Sequence, residues 1–279
     1  MEIRASAKLR YVTTAPTPFF FQFEVAKTSA QVVRQEELIL PPQAARERYV
    51  DPISGTRRLR TILGPGPVEV IYKVVADLTV QKFAPEQVRE FEFVELPFEV
   101  IEFLAPSRYC ASDTFTDFAF DTFGNQPRGY QRVMSICDWI FNNVAYVAGS
   151  TGPSTTAADV FHSKEGVCRD FAHLAIALCR ACAIPARYTS VYADRLSPQD
   201  FHALFQVYLC GPSGGDWFTF DATQMSSPDS VLAIASGRDS ADVAFAWPQG
   251  EVEGEPPEIE VLAPGRRSAT ITDAAVSAP

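Results

Sequence analysis

The fold is decided by residues 163–192, which read SKEGVCRDFAHLAIALCRACAIPARYTSVY. After the first cysteine of this stretch, apolar residues recur every third or fourth position, which is the period of an amphipathic α-helix. Pro185 limits that helix, and a strand is predicted over 186–193. The pattern therefore predicts a core-facing helix over about residues 168–183, with Cys168 at or beside its first turn.

Cys168 is placed differently from the other cysteines, because a turn permitted by Gly166 precedes it and the helical stripe follows it. The unpaired N–H groups and the positive dipole end of a helix N-terminus favour a thiolate. A thiolate is the nucleophilic form of cysteine, and the same N–H groups can stabilise an oxyanion. We therefore expect a nucleophile at Cys168, with an ordinary free thiol as the alternative.

A thiolate needs a base, and the chain has three histidines. His173 lies five positions along the same helix, about 7.5 Å up the axis and about 140° around it, which excludes it as the direct partner. His162 precedes the cysteine and could line a cleft rim, although a loop histidine is more often at the surface. His202 is therefore the candidate base.

His202 lies on a strand predicted over 201–210, and the next strand, predicted over 216–222, contains Asp221. If the apolar sides of both strands face the same core, the favoured register sets His202 opposite Asp221. The same register pairs Phe205 with Phe218 and leaves residues 210–213 as the turn.

Registers shifted by two residues in either direction also satisfy the apolar faces, so they stay open. Opposed side chains have Cβ atoms about 5 Å apart, which suits a carboxylate that orients an imidazole. Cys168, His202 and Asp221 are thus predicted as nucleophile, base and orienting group. A free cysteine, a surface histidine and a turn aspartate are the alternative interpretation.

The rest of the chain divides into three parts. Residues 1–105 alternate apolar and polar positions between Pro- and Gly-rich turns, which predicts an antiparallel β-sandwich. Residues 106–246 carry the helices and strands of the candidate site, including a helix predicted over 128–146. Residues 247–279 are rich in Pro and Glu and predict a peripheral tail, with one added strand at 259–262.

Composition excludes several classes of protein. Hydrophobic residues make up 47% of the 279 residues, which is typical of a globular chain. The formal net charge of −10 argues against a nucleic-acid partner. The sequence predicts neither a membrane-spanning helix nor a secretory signal, from which we expect cytoplasmic residence.

The remaining cysteines predict no redox or metal site. Without an export signal, the six cysteines are expected to be reduced and mostly buried. Cys179 and Cys182 form a CxxC at the end of a helix rather than at its start, which argues against a redox role. We expect no metal and no cofactor. Glu165 and Asp170 are expected to complement the helix dipole.

Three segments resemble the core motifs of the bacterial transglutaminase-like superfamily, namely residues 163–192, DFHALFQVYL at 200–209 and WFTFDATQ at 217–224. Two others resemble its flanking signatures, namely SRYCASD at 107–113 and GRDSADVAF at 237–245. The strand-rich first hundred residues more loosely resemble the β-domain that often accompanies this core. The family usually has His-Ala-Trp, and here Leu204 stands at the Trp position.

The resemblance implies an α+β, papain-like fold in which a helix bearing the cysteine packs on an antiparallel sheet bearing the histidine and aspartate. It assigns the catalytic triad to Cys168, His202 and Asp221. It also implies a thioester acyl-enzyme formed from an amide of a protein or peptide substrate. Water would complete hydrolysis, as in a cysteine protease or amidase, whereas an amine acceptor would complete transamidation, as in an acyltransferase.

The backbone N–H of Cys168 is one expected oxyanion donor. Asn143 and Tyr146 are candidates for the second donor, with structural roles as the alternative for both. The sequence leaves open the choice between hydrolysis and transamidation, and also the oligomeric state. A different class of protein also stays open, namely a binding or scaffold module with an idle triad.

Overall fold

The computed structural model describes residues 1–264, 272 and 274–277. The strands are, in chain order, β1 (Glu2–Thr13), β2 (Thr17–Phe21), β3 (Gln31–Ile39), β4 (Glu47–Val50), β5 (Arg57–Leu63), β6 (Gly66–Leu78), β7 (Gln81–Phe83), β8 (Ala145–Tyr146), β9 (Glu165–Gly166), β10 (Ala186–Ala193), β11 (Phe201–Gly211), β12 (Gly214–Phe220), β13 (Val231–Gly237), β14 (Ala246–Pro248), β15 (Val252–Gly254), β16 (Glu258–Leu262) and β17 (Ala275–Ser277). The α-helices are α1 (Thr116–Phe123), α2 (Tyr130–Asn143), α3 (Ala157–Ser163) and α4 (Cys168–Ala181). Short 3-10 helices cover Pro85–Gln87, Phe93–Glu95, Phe98–Leu104, Ser112–Phe115 and Pro228–Ser230. The predicted α+β class is confirmed.

Two antiparallel sheets fill the N-terminal region. One has the order β15-β1-β6-β3, with β16 also paired to β1, and the other has the order β14-β2-β5-β4. Alternate residues of β6 are buried, as the period of two predicts. The sheets pack face to face through aromatic rings, with centroids 5.0 Å apart for Tyr11–Phe19 and 5.9 Å apart for Phe23–Tyr72.

The sheet that carries the candidate site has the order β13-β10-β11-β12-β17-β7. Helix α4 packs against β10 and β11 on one side and against α1, α2 and α3 on the other. Every residue of α4 from Asp170 to Ala181 is buried. A helix that is buried on nearly all sides is typical of a core position, so α4 lies at the centre of this region.

The β11–β12 register differs from the favoured prediction and matches one of the registers that the sequence left open. Phe205 pairs with Phe220 and Val207 with Phe218, so both strands still place their apolar residues on the same face. The strands meet in a turn that is tighter than predicted, with Gly211 paired to Gly214. Gly214 has a φ of 114°, which glycine adopts readily, and this allows the shorter turn.

The C-terminal segment forms more strands than the sequence suggested. The predicted strand at 259–262 is confirmed as β16, and β14, β15 and β17 join it in pairing with the three large sheets. One continuous hydrophobic cluster extends from Ile3 to Ala275. The division at 105 and 246 therefore stays a prediction. Residues 265–271, 273 and 278–279 of the predicted tail lie outside the described residues.

Candidate active site

Cys168 is the first residue of α4, and its side chain is partly exposed. Val167 precedes the helix in an extended conformation and donates its N–H to Asp170 Oδ2 at 3.0 Å. The thiol therefore lies at the helix N-terminus, where free N–H groups and the dipole favour a negative charge.

Gly166 has a role that differs from the expected turn. A Cβ at this position would lie 2.9 Å from the Cβ of Asp170, and its φ is not in the left-handed region. Close approach between β9 and the first turn of α4 therefore requires glycine here. The same contact holds residues 166–168, the cysteine turn, against the first turn of α4.

Asp170 complements the helix dipole, as expected, and also anchors the preceding loop. Its carboxylate is fully buried and accepts hydrogen bonds from Thr151 Oγ1 at 2.5 Å and from Arg169 Nη2 at 2.9 Å. Glu165, the other acidic residue expected near the dipole, lies exposed in β9. The helix start is thus fixed by one buried carboxylate.

His202 and Asp221 form a buried ion pair. His202 Nε2 lies 2.9 Å from Asp221 Oδ2, and both side chains are at most 3% exposed. Burial lowers the pKa of His202, but the Asp221 carboxylate and the Cys168 sulfur outweigh it and raise the pKa to about 10. Burial raises the pKa of Asp221, but His202 and nearby hydrogen-bond donors outweigh it, so that the pKa falls below its usual value.

The Asp221 carboxylate is held by four donors besides the histidine. Thr223 donates its N–H at 2.9 Å and its hydroxyl at 2.6 Å to Oδ1, and Ser226 donates its N–H at 2.8 Å and its hydroxyl at 2.9 Å to Oδ2. Asp221 directly follows β12, and Gln224 N–H closes the turn on its carbonyl at 3.2 Å. This turn brings Asp221 to His202 although the two are not opposed in the sheet. The sequence pattern does not predict a role for Thr223 or Ser226, and their only signal is the density of hydroxyl residues after Asp221.

The His202 ring faces the thiol as well as the carboxylate. With Nε2 bound by Asp221, Nδ1 is the nitrogen left for the sulfur, and a hydrogen bond to Cys168 contributes to the raised pKa of His202. Cys168 and His202 also line one cavity of about 510 Å³. The three predicted residues are therefore brought together.

The other two histidines lie outside this arrangement. His173 is fully buried, and its Nε2 accepts the Ser240 N–H at 3.1 Å. Burial lowers the pKa of His173 to about 4. His162 is exposed on α3 and its Nδ1 contacts the Ala158 carbonyl at 2.6 Å. Neither histidine lines the cavity.

The two candidates for a second oxyanion donor differ in position. The side-chain amide of Asn143 donates to the Trp139 carbonyl at 2.8 Å, so it is already engaged. Tyr146 pairs with Gly166 in the β8–β9 ladder, which brings it beside the cysteine turn. Burial and the neighbouring Cys168 charge raise the pKa of Tyr146 to about 12, so the phenol keeps its proton.

All six cysteines are free. Burial raises the pKa of Cys110 to about 12 and that of Cys182 to about 11. Cys179 is fully buried beside Cys182, so the CxxC belongs to the core. Among the described residues, no group of three or more His, Cys, Asp and Glu side chains could hold a metal ion. In the same residues, no helix is long and apolar enough to cross a membrane.

Comparison with known proteins agrees with the observed fold. The sequence model of the transglutaminase-like superfamily matches residues 116–222. A crystal structure from Cytophaga hutchinsonii, described as a "Putative Cysteine Protease", is 35% identical and covers 99% of this chain and 96% of its own, with a TM-score of 0.91. The chain belongs to the transglutaminase-like superfamily.

Curated relatives of this superfamily member come from mycobacteria. An uncharacterized protein of Mycobacterium leprae is 27% identical over 148 residues, which are 51% of this chain and 53% of that protein. An uncharacterized protein of Mycobacterium tuberculosis H37Rv is 32% identical over 143 residues, 47% of this chain and 46% of that protein. The match thus spans about half the length of these relatives.

Leu204, at the position where the family usually has Trp, does not line the cavity. It is fully buried in a small separate cluster with Val191, Ala193 and Val231. The departure from the family pattern therefore lies outside the cavity wall.

Proposed function

We propose that this chain is a cysteine peptidase in which Cys168 is the nucleophile, His202 the proton carrier and Asp221 the orienting carboxylate. The observation that carries the proposal is the buried His202–Asp221 pair at 2.9 Å, with the Cys168 thiol at a helix N-terminus lining the same cavity as His202. A general papain-like cysteine enzyme follows from the superfamily. The triad and the hydrolytic reaction are the finer parts of the proposal.

The proposed reaction starts from a Cys168 thiolate beside a His202 imidazolium. Because the pKa of His202 is raised to about 10, the ring keeps its proton near neutral pH, and the negative charge of the sulfur stabilises it. The helix N-terminus stabilises the thiolate from the other side. The charged ring and the helix N-terminus therefore both place positive charge beside the Cys168 sulfur.

In the first step, the Cys168 sulfur forms a bond to the carbon of an amide carbonyl, whose π electrons move to oxygen. The Cys168 N–H stabilises that oxyanion. When the carbonyl reforms, the C–N bond breaks and His202 gives its proton to the leaving amine, which leaves a thioester on Cys168. Water then attacks the thioester, His202 takes a proton from the water, and the carboxylic acid is released as the thiolate returns.

Hydrolysis rather than transamidation is favoured by the protease description of the Cytophaga hutchinsonii protein, which matches this chain over nearly its whole length. The proposed substrate is accordingly a protein or peptide amide. Cytoplasmic residence is part of the proposal, and six free thiols are consistent with a reducing compartment.

The test is trapping of the acyl-enzyme. A panel of peptide aminomethylcoumarin amides is mixed with the protein, quenched in acid and examined by intact-protein mass spectrometry. We expect coumarin release and an acyl adduct on wild type, loss of both in Cys168→Ala, and retention of both in the control Cys210→Ala, which removes the other partly exposed thiol.

Absence of an adduct and of release across the panel would contradict the peptidase and favour a binding module. A second arm adds a fluorescent primary amine with a glutamine-containing protein. Incorporation of the amine faster than release of carboxylic acid would replace hydrolysis by transamidation.

A further inference from the structure

The cavity beside Cys168 and His202 is lined mainly by carbon atoms. Its volume of about 510 Å³ is within the usual range of small-ligand sites. Large apolar and aromatic side chains dominate the wall, namely Tyr109, Tyr188, Phe201, Val243, Phe245 and Trp247. A substrate group that enters this space therefore exchanges water for apolar surface.

Charge is nearly absent from the wall. Among the described residues, Arg169 and His202 are the lining side chains with a positive charge near neutral pH, and no carboxylate lines the cavity. Arg169 donates to the Asp170 carboxylate and to the Gly152 carbonyl, both at 2.9 Å, so its charge is already matched. A charged or amide side chain would lose its hydration here without gaining a charged partner.

The N-terminal sheets hold the outer wall of the cavity in place through hydrogen bonds and strand pairing. Gln22 donates its N–H to the Phe245 carbonyl at 3.0 Å and its side-chain amide to the Asp242 carbonyl at 3.1 Å. Trp247 pairs with Phe20 of β2, and the Phe201 and Phe245 rings stack at 4.9 Å. The cavity is thus held open by strand pairing, which lowers the cost of filling it.

We propose that this cavity is a specificity pocket for a bulky apolar side chain, aromatic or branched aliphatic, on a substrate residue next to the carbonyl that Cys168 attacks. The pocket deepens the proposed function and rests on it, because its wall contains Cys168 and His202. It separates this chain from an enzyme that selects a glutamine side chain, since the wall offers that amide little polar surface.

The pocket is tested by binding, with the nucleophile removed. Fluorescein-labelled peptides, in which either neighbour of a central alanine is Phe, Leu, Gln, Glu or Lys, are titrated with Cys168→Ala and followed by fluorescence anisotropy. We expect Phe and Leu to bind about tenfold more tightly than Gln, Glu and Lys at one of the two positions. Equal affinities at both positions, or a preference for a polar residue, would overturn the pocket.

Two variants locate the preference, each made in the Cys168→Ala background. Ala244→Phe places a ring in the cavity and should weaken binding of the Phe peptide about tenfold, and Phe245→Ala should reduce the preference of Phe over Gln severalfold. Phe141→Ala is the matched control, because this ring is similarly exposed on α2 and does not line the cavity. A preference that survives both pocket variants unchanged would also overturn the proposal.

Acylation of the wild-type protein by the same peptides separates the two proposals. If apolar peptides bind preferentially but never acylate Cys168, the pocket proposal stands and the peptidase proposal is rejected. If peptides acylate Cys168 regardless of their side chains, the peptidase proposal stands and the pocket proposal is rejected.

Discussion

His202 and His173 are both buried, with 3% and 0% of their surface exposed, yet their pKa values move in opposite directions. Burial lowers the pKa of each ring, because an imidazolium loses hydration in the protein interior. At His202 the Asp221 carboxylate and the Cys168 sulfur outweigh burial, and the pKa rises to about 10. At His173 burial prevails, and the pKa falls to about 4.

The difference lies in what each ring contacts. His173 stacks on Tyr109 with centroids 5.0 Å apart and lies 5.3 Å from the Tyr188 ring, and its Nδ1 has no hydrogen-bond partner within the described part of the chain. It is a neutral packing group under the cavity wall. His202 contacts a carboxylate and a thiol, so the same side chain becomes a charged group that can carry a proton.

Matched substitutions should give the largest contrast. His202→Gln removes the proton carrier, and we expect kcat/KM for peptide hydrolysis to fall at least ~10⁴-fold. His173→Gln keeps an acceptor for the Ser240 N–H, and we expect less than about a tenfold change for protein that remains folded by circular dichroism. Similar losses in the two variants would contradict the assigned roles.

Asp221→Asn preserves size but removes the charge that raises the pKa of His202. We expect kcat/KM at pH 7 to fall roughly 10³-fold and the alkaline limb of the pH profile to move to lower pH. Steady-state rates between pH 5 and pH 11 measure both effects. Asp216→Asn on the same strand is the control, and an unmoved limb in Asp221→Asn would show that another group sets the pKa of His202.

The contributions of His202 and His173 to folding stability should be lost at opposite ends of the pH scale. The folded pKa of His202 lies above the unfolded value of about 6.5, so its contribution is present below that value and is lost as pH rises toward about 10. The folded pKa of His173 lies below the unfolded value, so stability falls as pH drops from about 6.5 toward about 4, by on the order of 3 kcal/mol.

Urea unfolding at a series of pH values measures the two limbs. His173→Gln should flatten the acid limb between about pH 6.5 and about pH 4, and His202→Gln should flatten the alkaline limb between about pH 6.5 and about pH 10. An acid limb that keeps its slope in His173→Gln would assign that limb to the carboxylates instead.

Gly166→Ala should have a smaller effect, because it displaces the helix start without removing a reacting group. The new Cβ would lie 2.9 Å from Asp170 Cβ, so we expect a loss of about 1–3 kcal/mol of stability and of about tenfold in kcat/KM. Gly64→Ala is the control, since nothing lies within 4 Å of a Cβ there. An unchanged rate in Gly166→Ala would mean that the cysteine turn tolerates displacement.

Local patterns predicted most of the elements around the site. The helix from Cys168 and the strands near 186–193, 201–210 and 216–222 were all expected to within about two residues. These segments have strong apolar periods and clear breakers, so short-range information is sufficient. The meeting of His202 with Asp221 was expected too, although through a register that the structure does not have.

The residues that hold Asp221, and the strands of the C-terminal segment, were not predictable in the same way. Thr223 and Ser226 act because a turn folds their hydroxyls onto one carboxylate, and no period in the sequence reports such a turn. Strand β17 joins the central sheet between β12 and β7, which are far apart in sequence. Pairing of this kind depends on long-range contacts.

By itself, the sequence determined that a cysteine opens a core-facing helix, that a histidine lies on a later strand and that an aspartate lies near the end of the strand after it, because helix period, strand alternation and chain breakers act over a few residues. Only the tertiary structure decided the strand register, the placement of the Thr223 and Ser226 hydroxyl groups on Asp221 and the neutral state of His173. Only the fold also placed the apolar wall that Gln22 and β2 hold beside the thiol. These features depend on which distant groups share one low-dielectric space, and that is set by packing rather than by local sequence.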